Sequence, residues 1–146
     1  VEMMNQKADE LGLKDTHFVT STGLHDENHY STCKDMTELL IYALDNENFR
    51  TIYTAENYTT SSTPTHPKGI TYENTMFKKM DSKELNNGGI IEGGKTGYTS
   101  YAGLCLSSLA KVGEEEYILV TAQADGSPDT EQYNITDAFA VYNQIQ

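Results

Sequence analysis

The segment from Lys95 to Ala124 limits the possible folds more than any other part of the chain. Thr99, Tyr101, Gly103, Cys105 and Ser107 alternate with Ala102, Leu104, Leu106 and Ser108, the two-residue period of an extended strand. Gly113 with Glu114, Glu115 and Glu116 makes a turn, and Tyr117 to Ala124 is a second extended run. These runs form a hairpin, preceded by a strand that carries Lys95. Ile135, Ala138, Phe139, Tyr142 and Ile145 then recur at the spacing of a closing amphipathic helix.

The stretch leading into the hairpin can be read two ways. Gly89, four residues, then Gly94, Lys95 and Thr96 spell G-x-x-x-x-G-K-[ST], the pattern of a phosphate-cradling loop. Lys95, Thr96 and Gly97 also spell K-T-G. A phosphate loop requires a buried strand before it and a helix after it, so that free backbone N–H groups point at the phosphates. Lys83 to Gly88 is no buried strand, and Gly97 to Gly103 is poor helix sequence and good strand sequence. The context excludes a nucleotide and leaves the K-T-G strand.

Upstream, Val1, Met4, Ala8 and Leu11 recur at helical spacing, with Gly12 as the stop. Residues 15 to 30 are loop-like. Thr32 followed by Asp35 has the form of an N-cap with an acid three residues on. Met36, Leu39, Leu40, Ala43 and Leu44 make the buried stripe of a second helix, and a short third helix is expected at Asn48 to Tyr53. From Thr54 to Gly89 the chain is rich in Thr, Ser, Asn, Gly and Pro and reads as loops with short pieces of structure. The class is α+β. The regions are helical over 1–60, loop-rich over 61–92, and strand, hairpin and terminal helix over 93–146.

At 146 residues the chain has the length of one domain, and its net charge of −12 argues against nucleic acid. Cys33 and Cys105 lie far apart without metal-ligand spacing and read as two buried free thiols. His25, Asp26, Glu27 and His29 fit no rigid element and read as a solvated loop, so no metal and no cofactor is expected. Asn57-Tyr58-Thr59 and Asn134-Ile135-Thr136 match the glycosylation acceptor pattern.

Three blocks carry a family resemblance. Asn5 through His17-Phe18-Val19 to Thr22-Gly23-Leu24 is the first. His29-Tyr30-Ser31-Thr32 with Asp35-Met36 is the second, and Gly94-Lys95-Thr96-Gly97-Tyr98-Thr99 with Ala102-Gly103 is the third. Together they resemble the serine-type D-alanyl-D-alanine carboxypeptidases, the low-molecular-weight penicillin-binding proteins. The resemblance implies a C-terminal fragment of the penicillin-binding/β-lactamase-like transpeptidase fold. Such a fragment has a three-stranded antiparallel sheet, N-terminal helices and a packed C-terminal helix. It also implies an extracytoplasmic protein of the bacterial cell envelope, or a secreted one, acting on peptidoglycan stem peptides and binding β-lactams when intact.

By the same resemblance Lys95 supplies positive charge to the catalytic site, and the N–H of Tyr98 is one of two oxyanion donors. Thr96 offers its hydroxyl to the substrate's terminal carboxylate, Gly97 leaves the wall free of side chain, and Thr99 completes the substrate-binding set. Lys95 and Thr96 are both expected to reach into a groove. Glu73-Asn74-Thr75-Met76 departs from the family's Arg-Asn-x-Asn, with an acid where the Arg helps hold the carboxylate.

The family's nucleophile lies in S-x-x-K, followed by S-x-N, and both are expected to precede residue 1. Of the two S-x-x-K matches, Ser108 and Lys111 lie in the hairpin, on opposite faces, and Ser31 and Lys34 fall inside the second block. The chain as it stands is therefore expected to be catalytically silent, with a non-hydrolytic peptidoglycan- or partner-binding module as the alternative. The family sheet has five strands, so residues 117 to 124 are expected to be an open edge and a site of homo-oligomerisation.

Overall fold

The computed structural model describes residues 1–146. Its elements run α1 (Glu2–Leu11), α2 (Cys33–Leu44), α3 (Glu47–Thr54), β1 (Asn57–Thr59), β2 (Thr71–Glu73), α4 (Thr75–Lys78), β3 (Ile90–Thr99), β4 (Gly103–Val112), β5 (Glu115–Ala124) and α5 (Tyr133–Tyr142). The α+β reading holds, with an antiparallel sheet in the order β3-β4-β5 and a separate two-stranded hairpin, β1-β2. β1, β2 and α4 are the ordered pieces inside the Thr- and Pro-rich stretch.

Helix starts follow their capping chemistry. The Thr32 hydroxyl accepts from the Asp35 N–H at 3.1 Å, the N-cap bond that the sequence pattern anticipates. The Asp35 carboxylate does not reach back to complete a capping box. It accepts instead from the Asp15 N–H at 3.0 Å and the Thr16 hydroxyl at 2.7 Å, which ties the loop after α1 to α2. Asn5 holds the same loop from α1, donating to the Phe18 carbonyl and accepting from the Phe18 N–H, each at 2.8 Å.

The main sheet is covered on both faces. Leu40, Leu44 and Tyr53 of α2 and α3 pack on Leu109, with Ile118 beside them. On the other face Ile135, Ala138 and Tyr142 of α5 pack with Met76, Leu85, Ile91, Leu106 and Ala110. From Leu106 to Ala110 β4 therefore alternates between two packed layers, while Gly103, Cys105 and Ser107 stay partly exposed on the Lys95 side. Its half-buried Ser107 and fully buried Ser108 are both matched by tyrosines. Tyr53 donates to Ser107 Oγ at 3.0 Å, and the Tyr142 hydroxyl lies 2.9 Å from Ser108 Oγ and donates to the Ser108 carbonyl at 3.0 Å.

Two glycines let helices approach β3 from both sides. A side chain at Gly93 would meet the Tyr53 carbonyl at 2.9 Å, and one at Gly94 would meet Met76 Sδ at 2.3 Å. A bulge between Ile91 and Gly93 sets this phase, because the extra residue shifts the side-chain alternation beyond it.

Several sequence expectations need correction. The run beginning at Thr99 is not continuous strand: the chain turns at Ser100–Ala102 and β4 starts at Gly103. The Thr99 hydroxyl accepts from the Ala102 N–H at 3.0 Å, and Gly103 has φ 64°, a conformation glycine adopts at little cost. Both cysteines are free, but neither is buried. Cys33 opens α2 on the solvent side, and Cys105 lies towards the open end of the sheet. Asn134 is fully buried and donates to the Cys105 carbonyl at 3.0 Å, so its acceptor pattern is a packing feature.

Burial pushes the Tyr53 phenol up to about 12, against the opposing Ser107 hydrogen bond, and pushes Tyr142 higher still against its bond to Ser108. Raised folded-state values mean that the neutral phenols stabilise the fold fully below the unfolded value of about 10. That stability is lost as pH climbs through the folded values. The urea midpoint should hold to about pH 10 and fall towards pH 12. Tyrosine ionisation followed by ultraviolet absorbance should show these two groups titrating only with unfolding.

Candidate active-site wall

Lys95, Thr96, Gly97, Tyr98 and Thr99 all lie on β3, an edge strand of the main sheet. β3 pairs with β4 in the register Lys95↔Ser107, Thr96↔Leu106, Gly97↔Cys105, Tyr98↔Leu104 and Thr99↔Gly103. The strand continues unbroken through Lys95, so no helix N-terminus faces a phosphate here. The phosphate-loop match is a coincidence of letters.

The edge is divided into a covered half and an open half. Asn74 covers the first: its side-chain NH₂ donates to the Gly94 carbonyl at 3.0 Å while its oxygen caps α4 by accepting from the Met76 N–H at 2.9 Å. Its own N–H donates to the Glu56 carbonyl at 2.8 Å. The bond to Asn74 shows that the Gly94 carbonyl points away from β4. The Thr96 carbonyl points the same way and accepts from the Lys95 ammonium. In an antiparallel ladder a residue's N–H and C=O share a side and alternate along the strand. The N–H groups of Thr96 and Tyr98 therefore also face the open side.

Strand alternation corrects one expectation. Lys95 shares a face with Ser107 and α3, whereas Thr96 shares a face with Leu106 and α4, so the two side chains do not enter one groove from the same face. What they share is the edge, which Lys95 flanks from one face and Thr96 from the other. Lys95 is exposed, and the chain's ion pairs all use other cations. An exposed ammonium without a carboxylate partner is a local positive charge on a chain of net charge −12.

Glu73 stands nearby, at the end of β2, and is paired with Lys78 at 2.6 Å. The pair is exposed and weak as a stabilising interaction, but it offsets the negative charge of Glu73. Past the far end of β3, the turn into β4 makes a contact that no pattern in the sequence announces. The His25 ring stacks on Tyr101 with centroids 3.7 Å apart and planes within 6°. The polar loop of residues 15–30 thus reaches the β3–β4 turn. His29 Nδ1 accepts from the Val19 N–H at 3.1 Å, and no metal-binding cluster forms from these groups.

The two S-x-x-K matches lie in different settings. Ser108 is fully buried against Tyr142. Ser31 Oγ lies 2.8 Å from Thr16 Oγ1, outside the start of α2.

Comparison with known proteins identifies relatives of this arrangement. Residues 1–126 match the family model described as D-alanyl-D-alanine carboxypeptidase. The chain is 36% identical over 128 residues to the D-alanyl-D-alanine carboxypeptidase DacF of Bacillus subtilis, covering 82% of this chain and 29% of that protein. It is 35% identical over 133 residues to DacD of Escherichia coli, covering 90% of this chain and 31% of that protein. A serine-to-alanine mutant of a Streptomyces DD-transpeptidase superposes with a TM-score of 0.78 at 28% identity, over 98% of this chain and 52% of that one. The fold of penicillin-binding protein D2 from Listeria monocytogenes, solved in a cefotaxime-bound form, also matches, at TM-score 0.72 and 23% identity. The chain thus spans less than a third of the full-length relatives and about half of the solved transpeptidase chain.

If alternate N–H groups of β3 face outward, amide exchange should alternate too. The amides of Thr96 and Tyr98 should exchange faster than those of Lys95 and Gly97, by about tenfold or more, in a residue-resolved NMR experiment. Uniform protection from Lys95 to Thr99 would show that the edge is covered.

Proposed function

The chain belongs to the D-alanyl-D-alanine carboxypeptidase family, and from that premise we propose that residues 1–146 form part of a serine-type peptidase catalytic domain. In this reading β3 is one wall of a cleft that takes the D-Ala-D-Ala end of a peptidoglycan stem peptide. The observation that carries the reading is the open half of the β3 edge, with outward N–H groups at Thr96 and Tyr98 beside the unpaired ammonium of Lys95.

The residues divide the work by their chemistry. A peptide lying along β3 extends the sheet, and Gly97 leaves room for its backbone. Lys95 draws the terminal carboxylate, the Thr96 hydroxyl donates to it, and Thr99 lies further along the edge, towards the body of the peptide. When a serine attacks the scissile carbonyl, negative charge develops on its oxygen. The Tyr98 N–H, fixed by strand geometry, donates to that oxygen without reorganising. The serine and its activating lysine are not Ser31 with Lys34 or Ser108 with Lys111. On its own this stretch binds without cleaving, which also accommodates a non-hydrolytic peptidoglycan-binding module.

Several assignments follow from the family rather than from the geometry. The intact enzyme works outside the cytoplasm, in the bacterial envelope or secreted, and takes β-lactams, as the Listeria relative does with cefotaxime. No helix is long and apolar enough to cross a membrane. β5 pairs with β4 alone and leaves its other edge open, which supports self-association through residues 117–124.

Incubation with a labelled penicillin should give no covalent adduct with this chain, whereas adduct mass on Ser31 would assign it a nucleophile. In an NMR titration an N-acylated D-Ala-D-Ala peptide should move the amides of residues 95–99. Lys95→Ala should weaken that binding by about tenfold or more, the worth of a charged hydrogen bond. Unchanged affinity in the variant would remove Lys95 from the site. Sedimentation should show concentration-dependent association that Leu119→Lys abolishes, and a stable monomer would discard the edge-to-edge contact.

A further inference from the structure

In a chain of net charge −12, residues 57 to 72 contain no aspartate or glutamate, and Lys68 is their single full charge. This stretch is the β1-β2 hairpin and its tip. Tyr58 pairs directly with Tyr72 in the register, and Thr59 pairs with Thr71. Side-chain alternation puts the two tyrosines on one face and the two threonines on the other. The threonine hydroxyls meet at 2.8 Å. Tyr58 is 66% exposed and Tyr72 59% exposed, and neither belongs to an aromatic pair of the chain.

The tip holds this face in shape. The Thr60 N–H donates to the Ile70 carbonyl at 2.9 Å, and the Ile70 N–H donates to the Thr60 hydroxyl at 2.9 Å. Thr63 and His66 exchange backbone bonds at 3.0 and 3.1 Å. The hairpin runs directly into Asn74, whose side chain holds the Gly94 carbonyl one residue before Lys95. Asn74 thus tethers the hairpin to the strand of the peptide wall proposed above.

We propose that Tyr58 and Tyr72 form a binding platform for a neutral, N-acetylated glycan strand. The proposal rests on the cell-wall reading, in which the glycan is the polymer that carries the stem peptide. The charge and chemistry of the face select this occupant. The partly positive C–H faces of pyranose rings complement the negative faces of the two phenols. The phenol hydroxyls and the surrounding serines and threonines suit hydroxyl and acetamido groups. One lysine is too little charge for a nucleic acid or an anionic lipid surface, and the chain's net charge of −12 disfavours both.

The test titrates the isotope-labelled chain with a soluble tetramer of N-acetylglucosamine and, separately, with an N-acylated D-Ala-D-Ala peptide. The tetramer should move the amides of residues 57–60 and 70–73, and the peptide those of residues 95–99. Tyr58→Ala or Tyr72→Ala should weaken the tetramer by about tenfold and leave the peptide unchanged. Phenylalanine at either position should retain the ring-face contact and most of the binding. Tyr72→Thr keeps strand propensity and covers the case in which the alanine variants lose the hairpin. Absence of tetramer shifts at the hairpin, or shifts that persist with both rings removed, would overturn the platform and assign the tyrosine pair to hairpin stability alone. Tetramer binding without peptide binding would leave the platform standing and discard the peptide wall.

Discussion

From Leu106 to Ala110 β4 is packed by helices on both faces, and the rest of the structure is arranged around that constraint. Leu109 meets α2 and α3 on one side, and Leu106 and Ala110 meet α5 on the other. A strand buried on both faces has to have its polar side chains matched, since an unpaired buried hydroxyl costs about 1–3 kcal/mol. Tyr53 answers Ser107 from one layer, and Tyr142 answers Ser108 from the other. Those bonds fix both helical layers on the central strand, and that strand fixes the register of β3. The outward direction of the Tyr98 N–H follows from the same register.

Near-sequence chemistry made much of this legible. The alternation from Thr99 to Ser108 and the extended run from Tyr117 to Ala124 marked the hairpin, though not the turn at Ser100–Ala102; Thr32 marked the start of α2, and Gly12 marked the end of α1. K-T-G at Lys95 to Gly97 marked the strand that matters. The long-range contacts left no local trace. Nothing around Asn74 indicates that it holds the Gly94 carbonyl, because that bond joins segments twenty residues apart. Nothing around His25 indicates a stack on Tyr101. Cys33 misled because it adjoins an apolar helical stripe, yet the first turn of α2 turns it to solvent. Lys95 and Thr96 misled for a simpler reason: neighbours on a strand face opposite ways.

Gly93 and Gly94 connect the fold to the site. They allow α3 and α4 to close on β3 from both faces, and Asn74 then covers the same half of the edge. Beyond Gly94 the edge is left open, just where Lys95 places its charge. An extended strand with unpaired backbone groups is ordinarily a liability. Here a short open stretch begins where the cover by Asn74 ends and runs to the turn into β4, and in the proposed reading it seats one extended peptide.

The central claim is that a peptide ending in D-Ala-D-Ala lies along the outer edge of β3. Isotope-filtered nuclear Overhauser spectra of the chain with a labelled N-acylated D-Ala-D-Ala peptide test it most directly. The account predicts contacts from the peptide to the α-protons of Gly97 and to the amides of Thr96 and Tyr98, with the terminal methyl group nearest Lys95. Contacts confined to β5 or to the α5 face, with none to β3, would contradict it.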